Sequence, residues 1–205
     1  MQINYWGESF FGFDIKNVSN EKVTVIVNSP YEKDSKLKSP KIDSDILLLT
    51  DSQTKISDIQ KKNSQLFLIN QAGEYEKKGV FIKGIAFLDQ GEKFFNIIYK
   101  IEAEKVKVCY LPNFSPKKLS PEQLEEIGQI DVLIVPAGEE SSFGSKETAD
   151  IISQIEPRIV IPMVYGNIEK FLKVMGAEKI EAQKKVKIDQ KSLPKEETEI
   201  IILEP

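Results

Sequence analysis

The sequence predicts an α/β layered protein built on a mixed sheet or on two sheets. Two observations carry that expectation. The first half is a succession of short apolar and β-branched runs separated by turn residues, and the second half alternates buried strands with amphipathic helices.

In chain order, the strand-like runs are Ile3–Trp6, Phe10–Ile15, Val23–Val27, Ile46–Thr50, Leu66–Ile69, Val80–Leu88, Phe94–Ile101 and Val106–Leu111. Asn17 to Asn20, Ser29-Pro30, Gly73, Gly79 and Gln90-Gly91 punctuate them as turns. Val23–Val27 and Asp45 to Leu49 read as buried on both faces. Ser120-Pro121-Glu122-Gln123 is a helix start: Ser caps, Pro takes the first helical position, and Gln sits at capping-box spacing. Leu124 and Ile127 face inward, and Gly128 ends the helix with a left-handed residue. A buried strand, Val132 to Val135, follows. The next helix, from about Lys146 to Ile155, carries Ala149, Ile151, Ile152 and Ile155 on its apolar side and stops before Pro157. Ile159 to Ile161 is another buried strand. Asn167 caps a short helix presenting Ile168, Phe171, Leu172 and Met175, closed by Gly176. Val186 to Ile188 and Glu199 to Leu203 complete the strands. The segments 31–41 and 183–197 are polar and Lys-rich but too short for domain linkers, so residues 1–205 form one expected domain.

Composition narrows the function. A chain of 205 residues is long enough to bury about 70% of its extended surface, on the order of 24,000 Å², so neither disulfide nor metal is needed to hold it together. Lys plus Arg is 28 and Asp plus Glu is 32, a net charge of −4, which argues against nucleic acid as a partner. The Lys-rich stretches Lys33 to Lys41 and Lys184 to Lys187 are interrupted by acids and apolar residues and read as solvated surface. No run approaches the roughly 20 apolar residues of a membrane span, and the N-terminus lacks a signal pattern. A soluble, cytoplasmic protein without membrane association is expected. One cysteine, Cys109, excludes an internal disulfide and sits in an apolar run as a core thiol would. The chain contains no histidine. That removes the commonest transition-metal ligand and the usual neutral-pH base, so neither a Ser-His nor a Cys-His pair can form within it.

The order of motifs resembles the metallo-β-lactamase fold. The similarity is to its small prokaryotic branch of zinc-dependent hydrolases, which includes the ascorbate-6-phosphate lactonase-like proteins. Tyr5-Trp6-Gly7-Glu8-Ser9 stands where that branch has a strand and a Gly-His-Ser turn. Val25-Ile26-Val27-Asn28-Ser29-Pro30 matches its strand ending in Asp-Pro. Gly73-Glu74-Tyr75-Glu76 matches its Gly-Glu-Tyr-Glu segment, and Asn96-Ile97-Ile98-Tyr99 its Asn-Thr-Ile-Tyr strand. Leu119 to Gly138 follows its helix and strand, and Pro157 to Tyr165 its strand ending Pro-Met-His-Tyr. The resemblance covers nearly the whole chain. It implies a four-layer α/β/β/α sandwich with two mixed β-sheets.

The family's metal positions fall on residues without its ligands. The Gly-His turn has Glu8. The His-x-His-x-Asp-His motif falls on Asp51, Gln53, Lys55 and Ile56, and a later His falls at or beside Asp89. The His-Leu-Gly-Asp strand end reads Tyr110-Leu111-Pro112-Asn113, and the last His is Val164. An ammonium at Lys55 repels a metal and Ile56 offers no lone pair, so family-type zinc catalysis is not expected. Three readings stay open. Glu8, Asp51, Gln53, Asp89 and Asn113 are oxygen donors suited to magnesium, calcium or manganese. A pocket of Lys55, Tyr110, Asn113 and Tyr165 would suit a small anion or sugar. Alternatively, Lys55 pairs with Asp51 or Glu8 and polar residues fill an emptied cleft. Glu74 is read as structural, accepting bonds from loop backbone. The glycine-rich run Gly138 to Gly144 lacks the phosphate-loop ending and carries two acids against an anion.

The expected protein is therefore a degenerate, metal-free member with no catalytic residues and no cofactor. It is expected to act as a binding or assembly protein with a protein partner or as a homo-oligomer. The alternative is an ester or phosphoester hydrolase of altered chemistry, using oxygen ligands and a hard cation or no metal.

Overall fold

The computed structural model describes residues 1–28, 44–51, 65–87, 96–113, 118–138, 141–164 and 166–205. Two mixed β-sheets face each other across an apolar core. The first has the order β12-β1-β2-β3-β4-β5 and the second β13-β11-β10-β9-β8-β7-β6.

The six-stranded sheet contains β1 (Gln2–Tyr5), β2 (Phe11–Lys16), β3 (Lys22–Val27), β4 (Ile46–Leu48), β5 (Phe67–Ile69) and β12 (Lys185–Lys187). β12, β1, β2 and β3 are antiparallel, and β3, β4 and β5 run parallel. The seven-stranded sheet contains β6 (Gly73–Lys77), β7 (Val80–Phe87), β8 (Asn96–Ala103), β9 (Val106–Tyr110), β10 (Val132–Pro136), β11 (Ile159–Met163) and β13 (Glu199–Ile200). β6 to β9 are antiparallel, whereas β9, β10, β11 and β13 are parallel. The carboxyl ends of β3, β4, β9, β10 and β11 are where a parallel arrangement opens a crevice for a ligand.

Periodicity sorts the residues between layers. Ile3, Phe11, Phe13, Val23, Val25, Val27, Ile46 and Leu48 face the core between the sheets, with Ile97, Tyr99, Val108, Tyr110, Ile134 and Ile161 opposite. Alternate residues of the second sheet, among them Ile98, Cys109, Leu133, Val135 and Val160, pack under three helices. These are α1 (Pro121–Ile127), α2 (Ser145–Ile155) and α3 (Glu169–Val174). A smaller cluster, Phe10, Ile26, Leu47 and Leu49 with Trp6, Leu66 and Leu68, lies on the outer side of the first sheet. The helical layer expected there falls outside the described residues. Gly12 permits the packing of Trp6, because a Cβ on it would come 2.1 Å from the indole edge.

The capping box of α1 forms as expected. Gln123 N donates to Ser120 Oγ, and Ser120 N donates to the Gln123 side chain. Gly128 follows at φ 59° and ψ −156°, outside the left-handed helical conformation expected of it and open to glycine because it has no Cβ. Ile151, Ile152 and Ile155 of α2 are buried, and so is Thr148, whose hydroxyl donates to Pro136 O at 2.9 Å. The buried threonine was not legible as core, since its polarity masks a satisfied hydroxyl. Asn167 is not the N-cap expected of it: Ile168 holds that position without a side-chain cap, and Asn167 Oδ1 accepts from Glu169 N one residue earlier, while Gly176 follows α3 at φ 68°.

One expectation needs correction. Gly73–Lys77 is an edge strand, and Lys78-Gly79, both at positive φ, form its hairpin turn with β7. Glu74 is exposed and lies 3.9 Å from Lys83. It is Glu76 that accepts from loop backbone, at Gly79 N, 2.8 Å away. In an antiparallel strand both glutamates share one face, and only the one adjoining the turn reaches its amides.

The same hairpin is tied to the other sheet by Asp45. Its Oδ2 accepts from Thr24 N at 2.9 Å and its Oδ1 from Lys78 Nζ at 2.5 Å. Burial raises the carboxyl's pKa, but the Lys78 and Thr24 bonds outweigh it and hold the group below its usual range. A depressed folded pKa means stability that is present above about pH 3.9, the value of an unpaired aspartate, and lost as pH falls through the lower folded value. Asp45→Asn is expected to flatten the acid limb of the pH–stability curve, measured by urea midpoints from neutral pH down to the acid transition. An unchanged acid limb would show that Asp45 is not a source of it.

Candidate functional site

The carboxyl ends of β1, β3, β4, β9 and β11 converge on the turn Gly7-Glu8-Ser9. Tyrosine hydroxyls bind that turn in place. Tyr5, at the end of β1, donates to Glu8 O at 3.0 Å, and Val164 N, just past β11, reaches the same oxygen at 3.2 Å. Tyr110, at the end of β9, is fully buried and donates to Ser9 O at 2.6 Å. Asn28, just past β3, links three elements. Its amide nitrogen lies 3.3 Å from both Ser9 O and Tyr110 Oη, its Oδ1 accepts from Thr50 N and Thr50 Oγ1, and its own N–H donates to Leu48 O. Rings complete the packing: Tyr5 and Phe11 lie 4.7 Å apart, and Phe11 meets Tyr110 edge-on at 5.9 Å.

Three non-glycine residues here have left-handed backbones: Glu8 at φ 50°, Asn28 at φ 57° and Val164 at φ 52°. Asparagine tolerates this conformation. For a β-branched valine it is an outlier, held by the bond from its own N–H to Glu8 O.

Of the positions singled out by sequence, the structure describes Glu8, Asp51, Tyr110, Asn113 and Val164. Gln53, Lys55, Ile56, Asp89 and Tyr165 lie outside the described residues. Glu8 and Val164 meet through their backbones. Asp51 forms a β-bridge with Asn96. Asn113 Oδ1 accepts from Ser142 N at 3.0 Å, joining the end of β9 to the loop after β10. The Tyr110 ring is buried and its hydroxyl is engaged by Ser9 and Asn28; the expected pocket partners Lys55 and Tyr165 lie outside the described residues. The residues that sequence reasoning missed are Tyr5, Asn28 and Thr50. Their signal was present in part, since asparagine at a strand end marks a left-handed residue.

Among the described residues, Tyr110, Val164 and Asn113 do not supply zinc ligands. Burial drives the Tyr110 phenol far above its ordinary pKa, and its contacts with Ser9 and Asn28 oppose this only in part. It is a neutral hydrogen-bond donor, not a phenolate ligand. Val164 has no side-chain donor, and the Asn113 oxygen is already bonded. Among the described residues no three Asp, Glu or Cys side chains converge as a metal cluster. The Cys109 thiol, wholly buried, is pushed up to about 12 by burial and is no nucleophile. At the opposite end of the parallel strands a polar cavity of about 350 Å³ lies between Lys105, Lys107, Arg158, Glu102 and Asp131. Its central carboxylate is engaged by Lys107 N at 2.8 Å.

Comparison with known proteins bears on the family and the fold. A family model described as a beta-lactamase superfamily domain matches residues 2–164. A UPF0173 protein of Pyrococcus furiosus is 43% identical over 68 residues, covering 33% of this chain and 30% of that protein. A Pyrococcus abyssi UPF0173 protein is 49% identical over 39 residues, 19% of each chain. The matched stretches thus span less than a third of these curated relatives. A Thermotoga maritima structure, described as a candidate Zn-dependent hydrolase of the metallo-beta-lactamase superfamily, superposes with TM-score 0.74 at 24% identity over 98% of both chains. A metallo hydrolase from Ignicoccus hospitalis gives TM-score 0.58 at 14% identity, over 92% of this chain and 99% of the other. The metallo-beta-lactamase fold protein of Bacillus subtilis gives 0.57 at 10%, over 98% and 95%. At these identities the structural likenesses establish the fold.

Two outcomes test the site's energetics. Tyr110→Phe removes one of the two donors to Ser9 O and is expected to destabilise by about 1–2 kcal/mol in urea unfolding; a change near zero would mean water replaces the phenol. Val164→Gly is expected to be more stable than Val164→Ala by about 1 kcal/mol, because glycine carries no penalty at positive φ. The usual order, with alanine the more stable, would show that residue 164 is not strained.

Proposed function

Because this chain belongs to the beta-lactamase superfamily and yet contains no histidine, we propose that it is a non-catalytic binding or assembly protein that keeps the family scaffold without its metal chemistry. The observation that carries this reading is the engagement of the mouth residues with one another. Tyr5, Val164, Tyr110 and Asn28 bond the Glu8-Ser9 turn to the ends of the strands. In a metal-dependent hydrolase, side chains at this edge must present free lone pairs to the ion, which lowers the pKa of bound water and polarises the substrate. Here the buried hydroxyl points at a backbone carbonyl and stabilises the turn instead.

Such a protein acts through surfaces. The bonded Glu8-Ser9 turn suits that role, because interfaces gain from elements already held in place before contact.

The test is metal content and turnover together. Protein purified without chelator or affinity tag is offered zinc, manganese, magnesium and calcium in turn, and bound metal is counted by inductively coupled plasma mass spectrometry. The same samples are assayed against carboxylic esters, lactones and phosphoesters. Bound metal well below one equivalent, with no hydrolysis above buffer, is expected. Stoichiometric manganese or calcium lost in Asp51→Asn, with metal-dependent hydrolysis, would replace this reading with a hydrolase using oxygen ligands.

A further inference from the structure

We propose that the free edge of β6 in one copy of the chain pairs as an added strand with the free edge of β12 in a second copy, giving a head-to-tail contact. This deepens the reading above and rests on it, by naming the partner as the chain itself.

Each sheet ends in a short strand that, among the described residues, is paired on one side only: β6 with β7 and β12 with β1. Such edges present unpaired backbone groups to any incoming strand. Their side chains are complementary. In β6 the outward residues Glu74 and Glu76 are exposed, while Tyr75 between them packs against the core. In β12 the outward residues Lys185 and Lys187 are exposed, while Val186 between them packs against the core. An antiparallel pairing centred on Tyr75 and Val186 sets Glu74 opposite Lys187 and Glu76 opposite Lys185. It keeps both apolar residues on the inner side of the joined sheets. That register also brings Lys77 opposite Lys184, whereas a parallel pairing opposes each acid to a lysine and places Lys77 opposite Ile188.

The same pattern excludes the symmetric alternatives. Two copies of β6 joined antiparallel about Tyr75 would oppose Glu74 to Glu76, and two copies of β12 about Val186 would oppose Lys185 to Lys187. Like charges directly opposite one another are destabilising, so each edge rejects its own kind and accepts the other. Neither acid is held strongly elsewhere. Glu74 is 81% exposed and lies 3.9 Å from Lys83, whose ammonium is nearer to Glu126 at 3.5 Å. Glu76 uses one oxygen on Gly79 N. Exposed pairs of this kind contribute little alone.

The two edges lie on opposite flanks of the sandwich. β12 is continuous with the β13 flank through the Gln183–Leu203 bridge, and β6 lies beside β5, where Tyr75 meets Phe67 at 6.3 Å. One copy therefore offers both halves, and the contact is heterologous, closing as a ring or extending as a chain. Strands this short bury less than roughly 1,000 Å², the size of a weak interface.

Sedimentation of the full chain tests this. At low salt the weight-average mass is expected to rise above the 23.3 kDa of the monomer as concentration approaches about 1 mM, the range of a weak contact, and to return toward it at high salt. Glu74→Lys with Glu76→Lys, and separately Lys185→Glu with Lys187→Glu, should each remain monomeric, because each variant opposes like charges. An equimolar mixture of the two should associate again, since each β6 then meets an opposite β12. Glu76→Lys also gives up the bond from Gly79 N, so a retained far-UV spectrum and a cooperative melt, not an unchanged midpoint, verify folding. A monomer at every concentration, association untouched by either charge pair, or a mixture that stays monomeric would each overturn the proposal. Hydrolysis in the metal assay would remove the non-catalytic reading and leave these mass measurements as they stand.

Discussion

The arrangement depends on tyrosine hydroxyls that reach from one β-sheet to backbone carbonyls belonging to the other. Tyr99 of β8 is buried and places its oxygen 2.8 Å from Leu49 O and 3.0 Å from Ile69 O, at the ends of β4 and β5. Tyr110 of β9 does the same for Ser9 beyond β1. A buried carbonyl without a donor costs about 1–3 kcal/mol; the phenols supply one at Leu49 O and Ser9 O, while Ile69 O also accepts from Leu49 N at 2.9 Å. The phenol is long enough to span the core and ends in one proton. It fills the apolar space with its ring and satisfies the far carbonyl with its tip. Burial keeps both hydroxyls neutral, so this link does not vary across the working pH range.

Much of this architecture was legible in the residues. The capping box at Ser120 to Gln123, the isoleucine stripe of α2 and the doubly buried β3 follow from local rules that tertiary contacts did not override. The order of motifs identified the sandwich, which periodicity alone left open between one sheet and two. What was hidden was hidden for physical reasons. Gly73–Lys77 alternates glutamate with tyrosine and lysine, so a half-solvated edge strand looks like a polar turn. Thr148 reads as surface until the carbonyl of Pro136 is placed over it. For the candidate site, the sequence showed that histidine chemistry was gone. It could not show that Tyr5, Tyr110 and Asn28 bond the same turn, because they lie far apart along the chain and meet only once the sheets pack.

The strained residues explain why the mouth is tied as it is. Glu8, Asn28 and Val164 all occupy the left-handed region, where a non-glycine residue costs on the order of 1–2 kcal/mol. Such conformations persist only where surroundings over-determine them. Here the surroundings are identifiable. Glu8 O is approached by Tyr5 and Val164, and Asn28 binds at three elements through both ends of its amide. The turn and its bonds form a unit, so changing one residue leaves the strain of the others without compensation.

A closed mouth and charged edges answer the same constraint from opposite sides. Parallel strands end in backbone groups that need partners, and so do the outermost strands of an open sheet. At the mouth the described strand ends are satisfied internally, with phenols and an asparagine. Among the described residues the outer edges of β6 and β12 are unpaired, with Glu74 and Glu76 on one and Lys185 and Lys187 on the other. Charge of one sign on both edges would suffice to keep copies apart. In the proposed contact, opposite signs disfavour the joining of like edges and favour the mixed pairing, so the distribution of charge, not its amount, would set its specificity.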